Sequence, residues 1–205
     1  MPNRQYEEIL ERIHGLQAQL EQEFDGLVAE KRARFQYSLK KGRVFFNKSV
    51  RDFHRHHRTG IWRYLYEAKP IHVLTAPVIY SVIFPFLLID LFIFIYQQIC
   101  FRAYGIPLVK RSDYIVIDRH HLCYLNAIEK LNCIYCGYGN GLIEYVGEII
   151  GRTEQYWCPI KHAQRTPNPH KYTEKFVDYG DTKAYQEKLG EFRKELRDKS
   201  SNSIT

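Results

Sequence analysis

The chain has 205 residues, a net charge of +7 and a mean hydropathy of −0.42. That length allows one ordinary domain plus an anchor. The polar average excludes a chain that is apolar throughout, and it hides one very apolar stretch between polar flanks.

The basic balance, with a pI of about 9.1, suits an anionic lipid surface or nucleic acid. Placement decides between them. Residues 31–70 hold twelve Lys or Arg against two acids, and this block abuts the apolar stretch. A basic block beside an apolar segment reads as lipid headgroup contact before it reads as a nucleic-acid patch. The nucleic-acid reading rests on charge alone.

Residues 1–30 are acidic, with seven acids against two basic residues. Tyr6, Ile9, Ile13, Leu16 and Leu20 step by three and four, and Phe24 and Leu27 extend the stripe. This predicts an amphipathic helix over 4–30 that packs on its own protein, on a partner, or on a second copy. It has no basic n-region followed by a short apolar core, so no secretory signal is read there.

Residues 31–69 mix basic and aromatic side chains. They predict one or two amphipathic helices on a membrane surface, with Lys40, Lys41, Arg43, Lys48, Arg51, Arg55, Arg58 and Arg63 on headgroups. The His54-Arg55-His56-His57 run reads as basic surface, not as a metal site.

Residues 70–101 carry no Lys, Arg or Glu and a single acid, Asp90. A bilayer core needs roughly 20 helical residues, so the 70–104 region predicts a membrane segment. Pro77 and Pro85 interrupt it. A tilted span near Val73–Ile95 and a hairpin turning near Pro85 both fit. Five Lys or Arg in residues 51–70 against four in 102–121 give no charge asymmetry, which favours both flanks on one side and hence the hairpin.

Residues 105–199 predict a small helical domain. A strand is expected over Tyr114–Ile117, then a helix capped by Asp118 that runs to about Asn132. A glycine-rich turn at 136–141 should break it before a second helix over Leu142–Ile150. A last helix begins at Asp181 and carries Tyr185, Leu189, Phe192 and Leu196. Residues 200–205 read as a disordered tail.

Cys133-x-x-Cys136 is followed by Cys158-x-x-x-His162. Three thiolates and an imidazole match a tetrahedral zinc site. The turn at 136–141 would let the second helix fold back and close it. Iron, mononuclear or as a [2Fe–2S] cluster, fits the same ligands. His120, His121, Glu129 and Glu154 are the residues that could stand behind such a metal. No nucleophile elbow, phosphate loop or dinucleotide fingerprint is present, and the sequence names no reaction.

Asp118-Arg119-His120-His121-Leu122, Cys133-x-Tyr135-Cys136 and Arg152-Thr153-Glu154-Gln155-Tyr156-Trp157-Cys158-Pro159 resemble a family of uncharacterised bacterial membrane-associated proteins. The resemblance covers about Pro70 to Leu196. It implies a bacterial membrane and a shared metal-type motif, and no activity.

The expectation is therefore a mainly α, membrane-anchored protein with a re-entrant or spanning segment and a metal-stapled helical domain. Its function would be that of a scaffold or adaptor with structural zinc in the bacterial cytoplasmic membrane, the metal domain facing the cytoplasm. An iron redox protein and a metal-dependent enzyme acting on a lipid-soluble substrate are the alternatives. Its expected partners are membrane lipids, and a protein or second copy on the N-terminal helix.

Overall fold

A computed structural model describes residues 2–40 and 43–202. Lys41 and the last three residues of the expected tail lie outside the described residues. So do the side chains of Lys40 and Arg43.

The protein is mainly α-helical. It divides into two compact units, Met1–Gly60 with His121–Asn126, and Ile61–His120 with Ala127–Thr205.

In the first unit, α1 (Pro2–Arg34) follows the apolar stripe as expected. Ile9, Ile13, Leu16, Leu20, Phe24 and Leu27 all stay exposed along it. The basic stretch departs from expectation. It opens with a two-stranded antiparallel hairpin, β1 (Tyr37–Lys40) and β2 (Arg43–Phe46), in which Tyr37 sits opposite Phe46. Aromatic and β-branched side chains favour such pairing, and their rings touch at 5.8 Å between centroids. Helix α2 (Lys48–His56) follows. His54 stacks edge-on against Phe46 and Tyr124, so it is a packing residue here.

The second unit begins with α3 (Ile61–Glu67). Next comes one long kinked helix, Pro70–Tyr104, which is long and apolar enough to cross a membrane. It is made of α4 (Pro70–Ser81), α5 (Ile83–Tyr96), a wide π-turn at Gln97–Phe101 and a last turn, α6 (Arg102–Tyr104). The expected hairpin at Pro85 does not form. Val82 keeps right-handed helical angles (φ −64°, ψ −14°), so the chain kinks and continues. Pro85 has no N–H for the preceding turn, which is why the break falls there. Gly105, at φ +70°, ends the helix in the left-handed conformation that glycine adopts without strain.

Residues 106–118 then return along the helix as an irregular segment. Tyr114–Ile117 is not a strand, because among the described residues no strand pairs with it. Asp118 caps no long helix either; a short 3-10 turn, Arg119–His121, follows it.

Helix α7 (Ala127–Trp157) runs unbroken through the glycine run that was expected to be a turn. The glycines serve close packing instead. A Cβ at Gly139 would lie 2.9 Å from the Phe86 ring, and one at Gly141 would lie 2.6 Å from the Tyr114 carbonyl oxygen. Absent side chains let α5 and the return segment approach the α7 backbone, and this tertiary gain overrides glycine's poor helix propensity.

Contacts show that α7 runs parallel to the apolar helix. Tyr80 bonds Asn132, and Tyr96 Oη meets Thr153 Oγ1 at 2.9 Å further along both. The core between them holds Phe101, Ile106, Val109, Leu142, Tyr145 and Ile149, closed by Leu196 of α8 (Thr182–Asn202). Helix α8 starts where expected, with Asp181 Oδ1 accepting the Ala184 N–H at 3.0 Å. Ser200, Ser201 and Asn202 belong to this helix and not to a tail.

Candidate functional site

The expected metal ligands do not come together. Cys133 and Cys136 lie one turn apart on α7, whereas Cys158 is the first residue beyond its far end. At ~1.5 Å per residue the unbroken helix separates Cys136 from Cys158 by roughly 33 Å. Among the described residues no group of three His, Cys, Asp or Glu could hold a metal ion. The zinc centre is therefore corrected, and with it the iron and [2Fe–2S] alternatives on the same ligands. The metal-based scaffold, redox and enzyme functions fall too.

The residues placed behind the metal have other surroundings. Glu154 Oε2 meets His170 Nε2 at 2.6 Å. Glu129 lies in the first turn of α7, and His120 and His121 form part of the 3-10 turn. The Cys158 thiol is pushed up by burial and then by the Glu154 carboxylate, which leaves less of the reactive thiolate at neutral pH.

The structure instead organises polar groups around the apolar helix. Along α5, Ile83, Phe86, Asp90 and Ile93 face inward, with Gln97 and Phe101 continuing the row. These steps of three and four define one face of a helix. Asp90 is the group whose place in an apolar segment needs explaining. Arg111 on the return segment grips it with both arms, Nη2 to Oδ2 at 2.7 Å and Nε to Oδ1 at 3.2 Å. Tyr138 Oη donates to Asp90 Oδ2 at 2.9 Å. Burial, and then this bond to a carboxylate, push the Tyr138 phenol up to about 12. Tyr138 is thus a fixed donor at neutral pH.

Gln97 holds the same return segment two turns further on. Its side-chain oxygen accepts the Val109 N–H at 2.7 Å, and its amide donates to Tyr145 Oη at 2.9 Å. An irregular backbone stretch thereby gains the partners that a strand would have supplied.

A second polar cluster closes the far end of α7. Glu148 Oε1 accepts from Tyr172 Oη at 2.5 Å and from Arg152 at 2.8 and 2.9 Å, and Lys171 reaches Oε2 at 3.0 Å. Arg152 Nη1 also donates to the Pro107 carbonyl at 2.6 Å. Burial pushes the Glu148 carboxyl up, but the bonds from Tyr172, Arg152 and Lys171 outweigh it and hold the group below its usual range. The Tyr172 phenol is raised, first by burial and then by Glu148. The cluster ties α7 to the Pro107 carbonyl and to Tyr172 and Lys171, so it reads as a clamp.

The outward face of the apolar helix is the reverse. Leu74, Phe84, Phe92 and Ile99 are 74%, 68%, 67% and 64% exposed, and none of the most apolar window of the helix is buried. Meanwhile Thr75 and Ser81 return their hydroxyls to backbone carbonyls of their own helix at 2.8 and 2.7 Å. In the first unit, Lys48, Arg51 and Arg55 line one exposed face of α2, and Arg58 follows it exposed. Arg63, on α3 of the second unit, pairs with Glu67 at 2.7 Å.

Sequence reading found Asp90 but not its partners. Arg111 and Tyr138 carried no signal beyond the cost of an acid among apolar side chains. The Glu148–Arg152 pair was missed as well, although its i, i+4 spacing on a helix is the signal that could have found it. The chain matches no family model, no curated protein and no solved structure, so the reading of its site rests on its own residues.

Proposed function

We propose that the protein is a membrane-anchored binding protein whose Pro70–Tyr104 helix lies with its outward face in bilayer hydrocarbon. One observation carries this reading: the outward face is a run of exposed apolar side chains between His72 near one end and Gln98 near the other, while Thr75, Tyr80, Ser81, Asp90, Tyr96 and Gln97 all have partners inside the protein. Hydrocarbon offers no hydrogen bonds, so a lipid-facing helix must satisfy its polar groups internally.

The return segment argues for insertion from one side. If the helix stood upright through the bilayer, residues 106–118 would carry irregular backbone with Lys110, Arg111 and Asp113 back across it. Lipid-exposed irregular backbone is not tolerated at that depth. A helix lying in the interface, apolar stripe down and α7 above, avoids this cost. It also keeps both flanks on one side, as their even positive charge favours. The five cysteines are free, which supports a reducing compartment and so the cytoplasmic face of a bacterial inner membrane. Lys48, Arg51 and Arg55 would meet anionic headgroups.

The uncovered stripe on α1 supports a second contact, with another copy of the chain. Ile13→Lys with Leu20→Lys should then lower the mass measured by light scattering in detergent. An unchanged mass would remove that contact from the proposal.

The lipid reading is tested by flotation with vesicles followed by alkaline carbonate washing. The wild type should float and resist extraction. Phe84→Lys with Phe92→Lys should release it, since a Lys among lipid tails costs about 2.5–3.5 kcal/mol on insertion scales. A wild-type chain that stays in the aqueous fraction would contradict the reading.

A further inference from the structure

The kink at Val82 has a consequence for the space beside it. Beyond the kink, α5 packs closely on α7, with Phe86 over Gly139. Before the kink, α4 stands off. Its hydrogen bonds to α7 run through long side chains: Tyr80 bonds Asn132, and Tyr135 Oη donates to the Ile79 carbonyl at 2.9 Å. The gap left between α3, α4 and α7 is a cleft of about 590 Å³. Tyr64 and Leu65 wall it on one side, Val73 and Ala76 on another, and Ile128 and Leu131 on the third.

We propose that this cleft takes an acyl chain of a membrane phospholipid, an inference that rests on the membrane reading above. Three features select that occupant. The volume falls in the ~300–1,000 Å³ range of small-molecule sites. Tyr80 and Tyr135 spend their hydroxyls on Asn132 and on the backbone, and apart from His72, Cys136 and the Tyr64 hydroxyl the rest of the wall is hydrocarbon. The cleft is also continuous with the lipid-facing stripe, because Val73 and Ile79 line it and are themselves more than half exposed. A protein helix, about 10 Å across with its side chains, does not fit between elements already tied together by two tyrosines. A single flexible chain does.

The test uses the full protein in vesicles of phosphatidylethanolamine and phosphatidylglycerol. A fraction of the phosphatidylglycerol carries a diazirine at mid-chain. After illumination, mass spectrometry locates the adducts. Adducts should appear on Ile128 and Leu131 of α7, as well as on outward residues such as Phe84 and Phe92. Ala76→Trp, which fills the cleft, should cut the α7 adducts several-fold and leave the outward ones unchanged. Leu131→Trp fills the same space from the other wall and should cut the Ile128 adducts, which covers the case where the first variant misfolds. Adducts on the outward face alone, or α7 adducts that neither variant reduces, would overturn the cleft proposal and leave the membrane reading standing. No adducts at all, with the protein absent from the floated vesicles, would overturn both.

Discussion

Replacing Gly141 with Ala asks whether the glycine run is packed helix or open turn. An alanine Cβ there would sit 2.6 Å from the Tyr114 carbonyl oxygen and 2.8 Å from Ile115 Cα. Both are backbone atoms of the return segment. That segment cannot step aside freely, because Gln97 holds it at Val109 and Asp90 holds it at Arg111. Overpacking of this kind costs about 1–3 kcal/mol, against a gain of about 1 kcal/mol in helix propensity. A contact of 2.6 Å with backbone falls in the upper part of that range, about 2–3 kcal/mol, so a net loss of about 1–2 kcal/mol is expected for Gly141→Ala. Gly147 lies in the same helix with nothing within 4 Å of its would-be Cβ. There the propensity gain stands alone, and Gly147→Ala should stabilise by about 0.4–1 kcal/mol. At about 2–4 °C per kcal/mol for a chain of this size, the two variants should melt roughly 3–12 °C apart. Thermal unfolding in mild detergent, followed by far-ultraviolet circular dichroism, measures this. A Gly141→Ala protein that melts at or above Gly147→Ala would refute close packing on α7, and with it the unbroken helix.

Three further outcomes follow from the same geometry. Glu148→Gln leaves the half-buried Arg152 beside a weaker acceptor and should cost about 3 kcal/mol, read by chemical denaturation. The Glu148 carboxyl is held below its ordinary 4.5, so its contribution is fully present above that pH and lost as pH falls through the lowered value. The wild type should therefore lose more stability on acidification than Glu148→Gln does; equal losses would show that the clamp does not act. Arg111→Leu strands the Asp90 carboxylate, which is only 16% exposed, and should destabilise by about 2–3 kcal/mol. Asp90→Leu with Arg111→Leu should recover most of that loss, because the pair is replaced by apolar contact, and a double variant no better than the single would argue against the pair. Elemental analysis should find no stoichiometric zinc or iron. Chelator, Cys158→Ser and His162→Ala should leave the melting temperature unchanged, and a fall in any of them would restore a metal role.

Much of the fold was legible where side-chain period alone decides it. The stripes on α1 and α8 and the apolar run from Pro70 follow directly from the order of residues. The Asp181 cap is local chemistry and reads equally well. The hairpin at Tyr37–Phe46 was missed because its basic and aromatic residues suit an interfacial helix as well as a strand. The glycine run at 137–141 was misread for a physical reason. Glycine signals a break locally, but a missing Cβ also lets backbones meet, and only the neighbours Phe86 and Tyr114 reveal which applies. The metal reading depended on that turn. Once α7 runs straight, a spacing that suits a zinc site puts its two halves at opposite ends of a rod. The partners of Asp90 were invisible because Arg111 and Tyr138 lie 21 and 48 residues away in sequence.

The central claim is that the apolar helix enters the bilayer from one side and returns its chain to that side. Lys69 and Arg102 flank it on exposed sites. In a variant lacking the five native cysteines, each can be replaced in turn by cysteine and treated with an impermeant maleimide on sealed, oriented vesicles. Both positions should be modified from the same side. Modification of one from outside and of the other only after the vesicles are opened would establish a span and contradict the account.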